Sequence, residues 1–231
     1  MKKIEIITDE HKEGTRQARS DFAEVTGKTI ELKPAIFREE QTGHEFCHIV
    51  GALAYPGIEP GCVMIFGIQA EPLKFRLLEY REHTSVFDLI TDVVTTRNYY
   101  GYGHHSAILQ QWIGDPERYL SIVVKISTAI EQKSGHDKGL YIREPADWAE
   151  KHAFAMYIRQ LYSALSDKLL ILQPHTQLIN RLQAFQPDSA DKGNLADYPA
   201  VGMLGGLVHS LMIERPWEQD IDHGGPIILQ S

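Results

Sequence analysis

Apolar positions in residues 145–213 recur at helical spacing, then run together, then recur again. This predicts one unit of helix, short strand, helix, loop and helix. Phe154, Ile158, Leu161 and Leu165 form the stripe of the first helix, with Lys151, Arg159 and Asp167 off it. Leu169-Leu170-Ile171-Leu172 follows as a buried strand. Pro174 opens a second helix bearing Leu178, Leu182 and Phe185, which Pro187 ends. The polar loop Asp188–Asn194 leads into Leu195-Ala196-Asp197-Tyr198-Pro199, and Val201, Leu204, Val208 and Leu211 mark the last helix. A strand packed by three helices belongs to an α/β domain.

Upstream the pattern turns extended. Cys62–Ile68 is a continuous apolar run, as expected of a central strand covered on both faces. Glu71-Pro72 breaks it, and Leu73–Glu82 makes a second strand paired with it as a hairpin. Thr84-Ser85 precedes Val86, Leu89, Ile90, Val93 and Val94, with Asp88 three residues after Ser85, so a capped helix running to Asn98 is expected. The aromatic-glycine tract Tyr99–Gly103 returns the chain to the sheet. Ser106–Ile113 reads as a short helix, Tyr119–Ile126 as a strand and Ser134–Arg143 as a loop. Residues 8–27 read as a charged helix, and Thr29–Phe37 as a strand interrupted at Pro34.

The turn-rich stretch Tyr55–Gly61 marks a boundary. It divides the chain into an N-terminal extension (1–60), a domain (61–215) and a loose Pro- and Gly-rich tail (216–231). At 231 residues and 43% hydrophobic, the chain can bury a full core. A net charge of −8 argues against nonspecific coating of nucleic acid, yet leaves room for a metal-dependent nuclease, whose site is itself acidic. No apolar run approaches the roughly 20 residues needed to cross a bilayer. Met1-Lys2-Lys3 leads into a segment too short and acidic for a signal peptide, so a cytoplasmic protein is expected, with no membrane partner. Cys47 and Cys62, the two cysteines, sit among apolar neighbours and read as buried, reduced thiols.

The order of strands and helices is that of a ribonuclease-H-like mixed sheet flanked by helices. From about Gly61 to Met212 the chain resembles the nuclease domain of phage large terminases. Three places carry the resemblance. Phe66-Gly67-Ile68-Gln69 stands where the family's opening strand ends in a Gly-hydrophobic-Asp step. Lys168–Leu172 with Leu178, Leu182 and Phe185 follows the family's late strand and helix, and Ala196-Asp197-Tyr198-Pro199-Ala200 looks like its acidic cluster with most acids removed. The phosphate loop of the motor's ATPase, G-x-x-x-x-G-K-[ST], is absent from the sequence, so the chain is no complete motor.

The resemblance implies cleavage of duplex DNA, or a DNA-packaging role beside phage packaging proteins if the site has decayed. Such hydrolysis needs two Mg²⁺ or Mn²⁺ ions about 4 Å apart, held by carboxylates. Gln69 offers only a neutral carbonyl at the first-strand position, Glu71 could substitute from the same strand face, and Tyr102 stands at the fourth-strand position. Asp197, with Glu71, is therefore the expected catalytic and metal-binding set, and a weakened or dead site is expected. Asp197 before Pro199 also reads as an ordinary helix N-cap, and Glu71 before Pro72 as a turn residue. The tyrosines at 99, 100 and 102 could stack a base or pack on the sheet, and His104-His105 has no nearby carboxylate in sequence.

A competing motif lies upstream. His44-Glu45-Phe46-Cys47-His48 matches H-E-x-x-H, which on a helix sets two imidazoles one turn apart for Zn²⁺ with the glutamate as general base. The string resembles the metzincin signature, but Ala54 occupies the third ligand position. Glu59, Glu71 or Glu79 would have to complete such a site. A zinc metallohydrolase and a protein-interaction module without chemistry both remain open alternatives to the nuclease reading.

Overall fold

The structure is a computed structural model that describes residues 4–6, 37–56, 59–100, 108–110, 128, 142–143, 145–148, 150, 152–172, 175–186 and 197–215. Strands β1 (Ile4–Ile6), β2 (Phe37–Glu39) and β3 (Glu45–Phe46) form a small antiparallel sheet. Strands β4 (His48–Ala54), β5 (Gly61–Gln69), β6 (Lys74–His83), β7 (Ile108–Gln110), β8 (Ile142–Arg143) and β9 (Leu170–Ile171) form a second sheet in the order β8-β7-β4-β5-β6-β9. Within it β4, β5 and β6 are antiparallel, β7 and β8 continue parallel from β4, and β9 adds parallel to the outer edge of β6.

Helix α1 (Val86–Tyr100) covers one face of this sheet, and α2 (Ala153–Ser166), α3 (Thr176–Ala184) and α4 (Pro199–Glu214) cover the other. The alternation of side chains along a strand decides which residue meets which layer. From β4, Ile49 and Leu53 enter the α1 core while Val50, Ala52 and Ala54 enter the core beneath α2 and α4. With helices on both faces, β4 is buried at every position, which is why its sequence after His48 is apolar throughout rather than alternating. The large sheet is a mixed α/β sheet flanked by helices, with β4 its first strand in chain order. At the β9 edge of the sheet, α2, β9 and α3 enclose an apolar groove of about 310 Å³, lined in part by Leu161, Leu165, Leu170 and Leu182. Among the described residues no helix is long and apolar enough to cross a membrane.

The expected helices at 153–166, 176–184 and 199–214, the β5–β6 hairpin and α1 are all present. The start of α1 has the expected cap, with the Asp88 amide donating to Ser85 Oγ at 3.4 Å. Three expectations change. Ser106–Ile113 is not a helix at its centre: Ile108–Gln110 is β7, because this run finds a parallel partner in Gly51–Leu53. The end of the expected loop Ser134–Arg143 is strand β8. The stretch Tyr55–Gly61 is the connection between paired strands β4 and β5, so the expected boundary at residue 60 falls between two neighbours of one sheet. A Cβ on Gly61 would come within 2.5 Å of Ala54 O, so the chain turns there on a bare Cα. The expected helix at 8–27, the strand at Tyr119–Ile126, the tract 101–103 and the tail 216–231 lie outside the described residues.

Candidate functional site

The parallel strands β4 and β7 both end on the side of the sheet where Ala54 lies opposite Cys62 and Cys62 lies opposite Glu82. The seven residues of β4 include no carboxylate. Leu53, near the end of this strand, is fully buried against the α1 core. The place sought at Gln69 is therefore corrected: Gln69 closes the second strand of the sheet, not the first. Tyr102, read from the sequence as the fourth-strand position, lies outside the described residues.

Carboxylates do gather at this end, but a guanidinium holds them. Arg181 in α3 donates from Nε to Glu82 Oε1 at 2.9 Å, from one terminal nitrogen to Glu82 Oε2 at 3.1 Å and from the other to Glu59 Oε1 at 3.2 Å. Tyr80, two residues before Glu82 and on the same strand face, donates its hydroxyl to Glu82 Oε1 at 2.7 Å. The Arg181 bonds, with Tyr80 adding to them, hold the Glu82 carboxyl below the usual carboxylate range despite partial burial. Burial pushes the Tyr80 phenol up, and the charge of Glu82 adds to that. Glu82 in turn raises Arg181, so the guanidinium and this carboxylate hold each other charged. A second network occupies the other face of the same strand end. Arg81 and His83 both bond the buried Asp92 of α1, His83 Nε2 at 2.9 Å from Oδ2, and Arg81 also reaches Glu79 at 3.3 Å.

Asp197 is half-buried and immediately precedes Tyr198, the residue that caps α4. Tyr198 is fixed by rings: it stacks on Phe154 with centroids 6.1 Å apart and meets Phe185 edge-on at 5.1 Å. Glu71 is exposed in the turn after β5, so it does not continue the strand face of Gln69 as the sequence suggested. The two sit on separate connections of the fold. Among the described residues no three His, Cys, Asp or Glu side chains group so as to hold a metal ion. The described donors therefore do not fit a two-ion carboxylate site.

The helix that H-E-x-x-H requires is not there. His44 ends a turn, Glu45-Phe46 is β3 and His48 begins β4, because this segment finds sheet partners on both sides. His44 Nε2 lies 3.1 Å from an Arg76 terminal nitrogen and Nδ1 lies 2.5 Å from Thr42 Oγ1, so both ring nitrogens face protein. Glu45 is paired with Arg38 at 2.6 Å. The zinc reading is corrected accordingly. The cysteines are free thiols at opposite ends of β5, where Cys62 is buried opposite Ala54 and Cys47 donates to Ile68 O at 3.2 Å.

The Arg181 network was not anticipated. The sequence shows only that Tyr80 and Glu82 share a strand face at the hairpin's end, and Arg181, in the last turn of α3, lies 99 residues beyond Glu82.

No protein-family model and no curated protein matches the chain. Among solved structures, the large terminase of a thermophilic bacteriophage aligns at 11% identity and TM-score 0.48, over 71% of this chain and 39% of its own. The human cytomegalovirus terminase nuclease domain aligns at 10% identity and TM-score 0.46, over 73% of this chain and 86% of its own. The yeast mitochondrial Holliday junction resolvase Ydc2 aligns at 11% identity and TM-score 0.42, over 73% and 82%. The chain thus spans well under half of the phage terminase. The resemblance to terminase nucleases drawn from the sequence is met again among solved structures.

Proposed function

We propose that this chain is a terminase-nuclease-like domain of phage origin that serves DNA packaging as a structural piece rather than as a hydrolase. The observation that supports this most is the opening strand. β4 offers no carboxylate, and Glu59 and Glu82, which lie at that end of the sheet, are bonded to Arg181. A guanidinium there supplies fixed positive charge in a place where hydrolysis by this kind of fold would call for an exchangeable divalent ion. Its partners in this reading are duplex DNA or the packaging proteins that hold it. Asp197 and Glu71 remain the carboxylates to test for metal binding.

The test is incubation of the purified chain with supercoiled and linear duplex DNA in Mg²⁺ or Mn²⁺, beside Asp197→Ala and Glu71→Ala. The expected result is no metal-dependent nicking by any of the three. Nicking by the unsubstituted chain that Asp197→Ala abolishes would sink the structural reading and make this an active endonuclease.

A further inference from the structure

The segment that the zinc motif drew attention to has a different use. The small sheet rests on the large one where Phe46 of β3 lies on Gly67 of β5, and the Cys47 amide donates to Ile68 O at 2.8 Å. Arg76 lies directly opposite Gly67 on β6, so its side chain leaves the sheet on the face where Phe46 sits. There it meets His44 at 3.1 Å. Arginine has only donors, so His44 Nε2 must accept, and the ring is neutral with its proton on Nδ1. That proton goes to Thr42 Oγ1 at 2.5 Å, and the Thr42 hydroxyl donates on to Glu39 Oε2 at 2.7 Å.

We propose that His44 is a pH-sensitive latch between the two sheets. A proton taken from solvent onto Nε2 removes the acceptor that Arg76 uses and sets two cations against each other. The groups facing the ring pull in unequal directions. Glu39, 3.8 Å from Nδ1, attracts the charged ring, but Glu39 and Thr42 belong to the small sheet and its turn, as His44 does. Arg76 belongs to the large sheet. Glu45 is occupied by Arg38, both on the small sheet, and Lys74 on β6 is bonded to Lys168 O. Protonation therefore keeps the bonds inside the small sheet and breaks the His44–Arg76 bond across the seam.

The experiment is amide hydrogen exchange of the full chain between about pH 8 and pH 5, corrected for intrinsic rates, with ring nitrogen NMR on labelled histidine. The Cys47 amide should lose protection by about tenfold on acidification, while the mid-sheet amide of Met64 does not. In His44→Gln, whose amide oxygen can accept from Arg76 without titrating, Cys47 protection should be independent of pH. At pH 8 the ring should show the Nδ1–H tautomer. An Nε2–H tautomer overturns the latch, and so does Cys47 protection that is unchanged by pH in the unsubstituted chain or falls equally in His44→Gln. The tautomer and the unsubstituted chain's exchange decide the matter even where the variant does not fold.

Discussion

Phe46 lies against the bare Cα of Gly67: a Cβ at Gly67 would stand 2.5 Å from Phe46 Cδ1 and 2.6 Å from Cγ. Both are fully or nearly fully buried, and the contact joins the small sheet to the large one. The glycine is therefore explained by packing. Gly67→Ala should cost about 1–3 kcal/mol, the usual cost of overpacking a tight core. Urea unfolding would measure it, and an unchanged midpoint would show that the ring moves freely aside.

Close approach also explains the glycines of α4. A Cβ on Gly205 would stand 2.8 Å from the Tyr157 carbonyl oxygen in α2, and one on Gly206 2.9 Å from Pro145 Cβ. Alanine in a helix interior gains about 1 kcal/mol over glycine. The clash opposes that gain, and at Gly205 the obstacle is backbone, which cannot rotate away. Gly205→Ala should thus be net destabilising by about 1–2 kcal/mol and Gly206→Ala less so. Thermal unfolding of both variants checks the order, and a stabilised Gly205→Ala would contradict it.

The Arg181–Glu82 pair carries a pH signature. The folded state lowers the Glu82 value, so its contribution is complete above the ordinary carboxylate value of about 4.3 and is lost as pH falls from there through the depressed folded value. Glu82→Gln should be less stable than the unsubstituted chain at pH 7, and the difference should shrink on acidification below that range. Denaturant midpoints at several pH values would show it; a difference that grows with acid would mean that the pair's sign is reversed.

The thiols should be slow. Burial pushes Cys47 up to about 11 and Cys62 further, and only the thiolate reacts. In a thiol-disulfide assay at pH 8 the folded chain should release little colour, with two thiols appearing on denaturation. Raising the pH towards 11 should expose Cys47 to reaction before Cys62. Prompt reaction of Cys62 in the folded chain would mean that the β4–β5 pair opens readily where Cys62 lies opposite Ala54.

The sequence alone determined the elements whose stabilising contacts are local or periodic. The stripe Phe154, Ile158, Leu161 and Leu165, the proline-opened helix bearing Leu178, and the β5–β6 hairpin each announce themselves through side chains a few residues apart. Only the tertiary structure decided the rest. β4 reads as anything apolar until β5, β7 and the helices cover it, and β7 is three residues long, made a strand by pairing with β4 rather than by its own pattern. The H-E-x-x-H string has helical spacing on paper, yet its neighbours β2 and β5 offered hydrogen bonds that a helix there would have left unmade. The charge at the candidate site was equally hidden, because Glu59, Glu82 and Arg181 are 122 residues apart from end to end and meet only when α3 settles on the sheet.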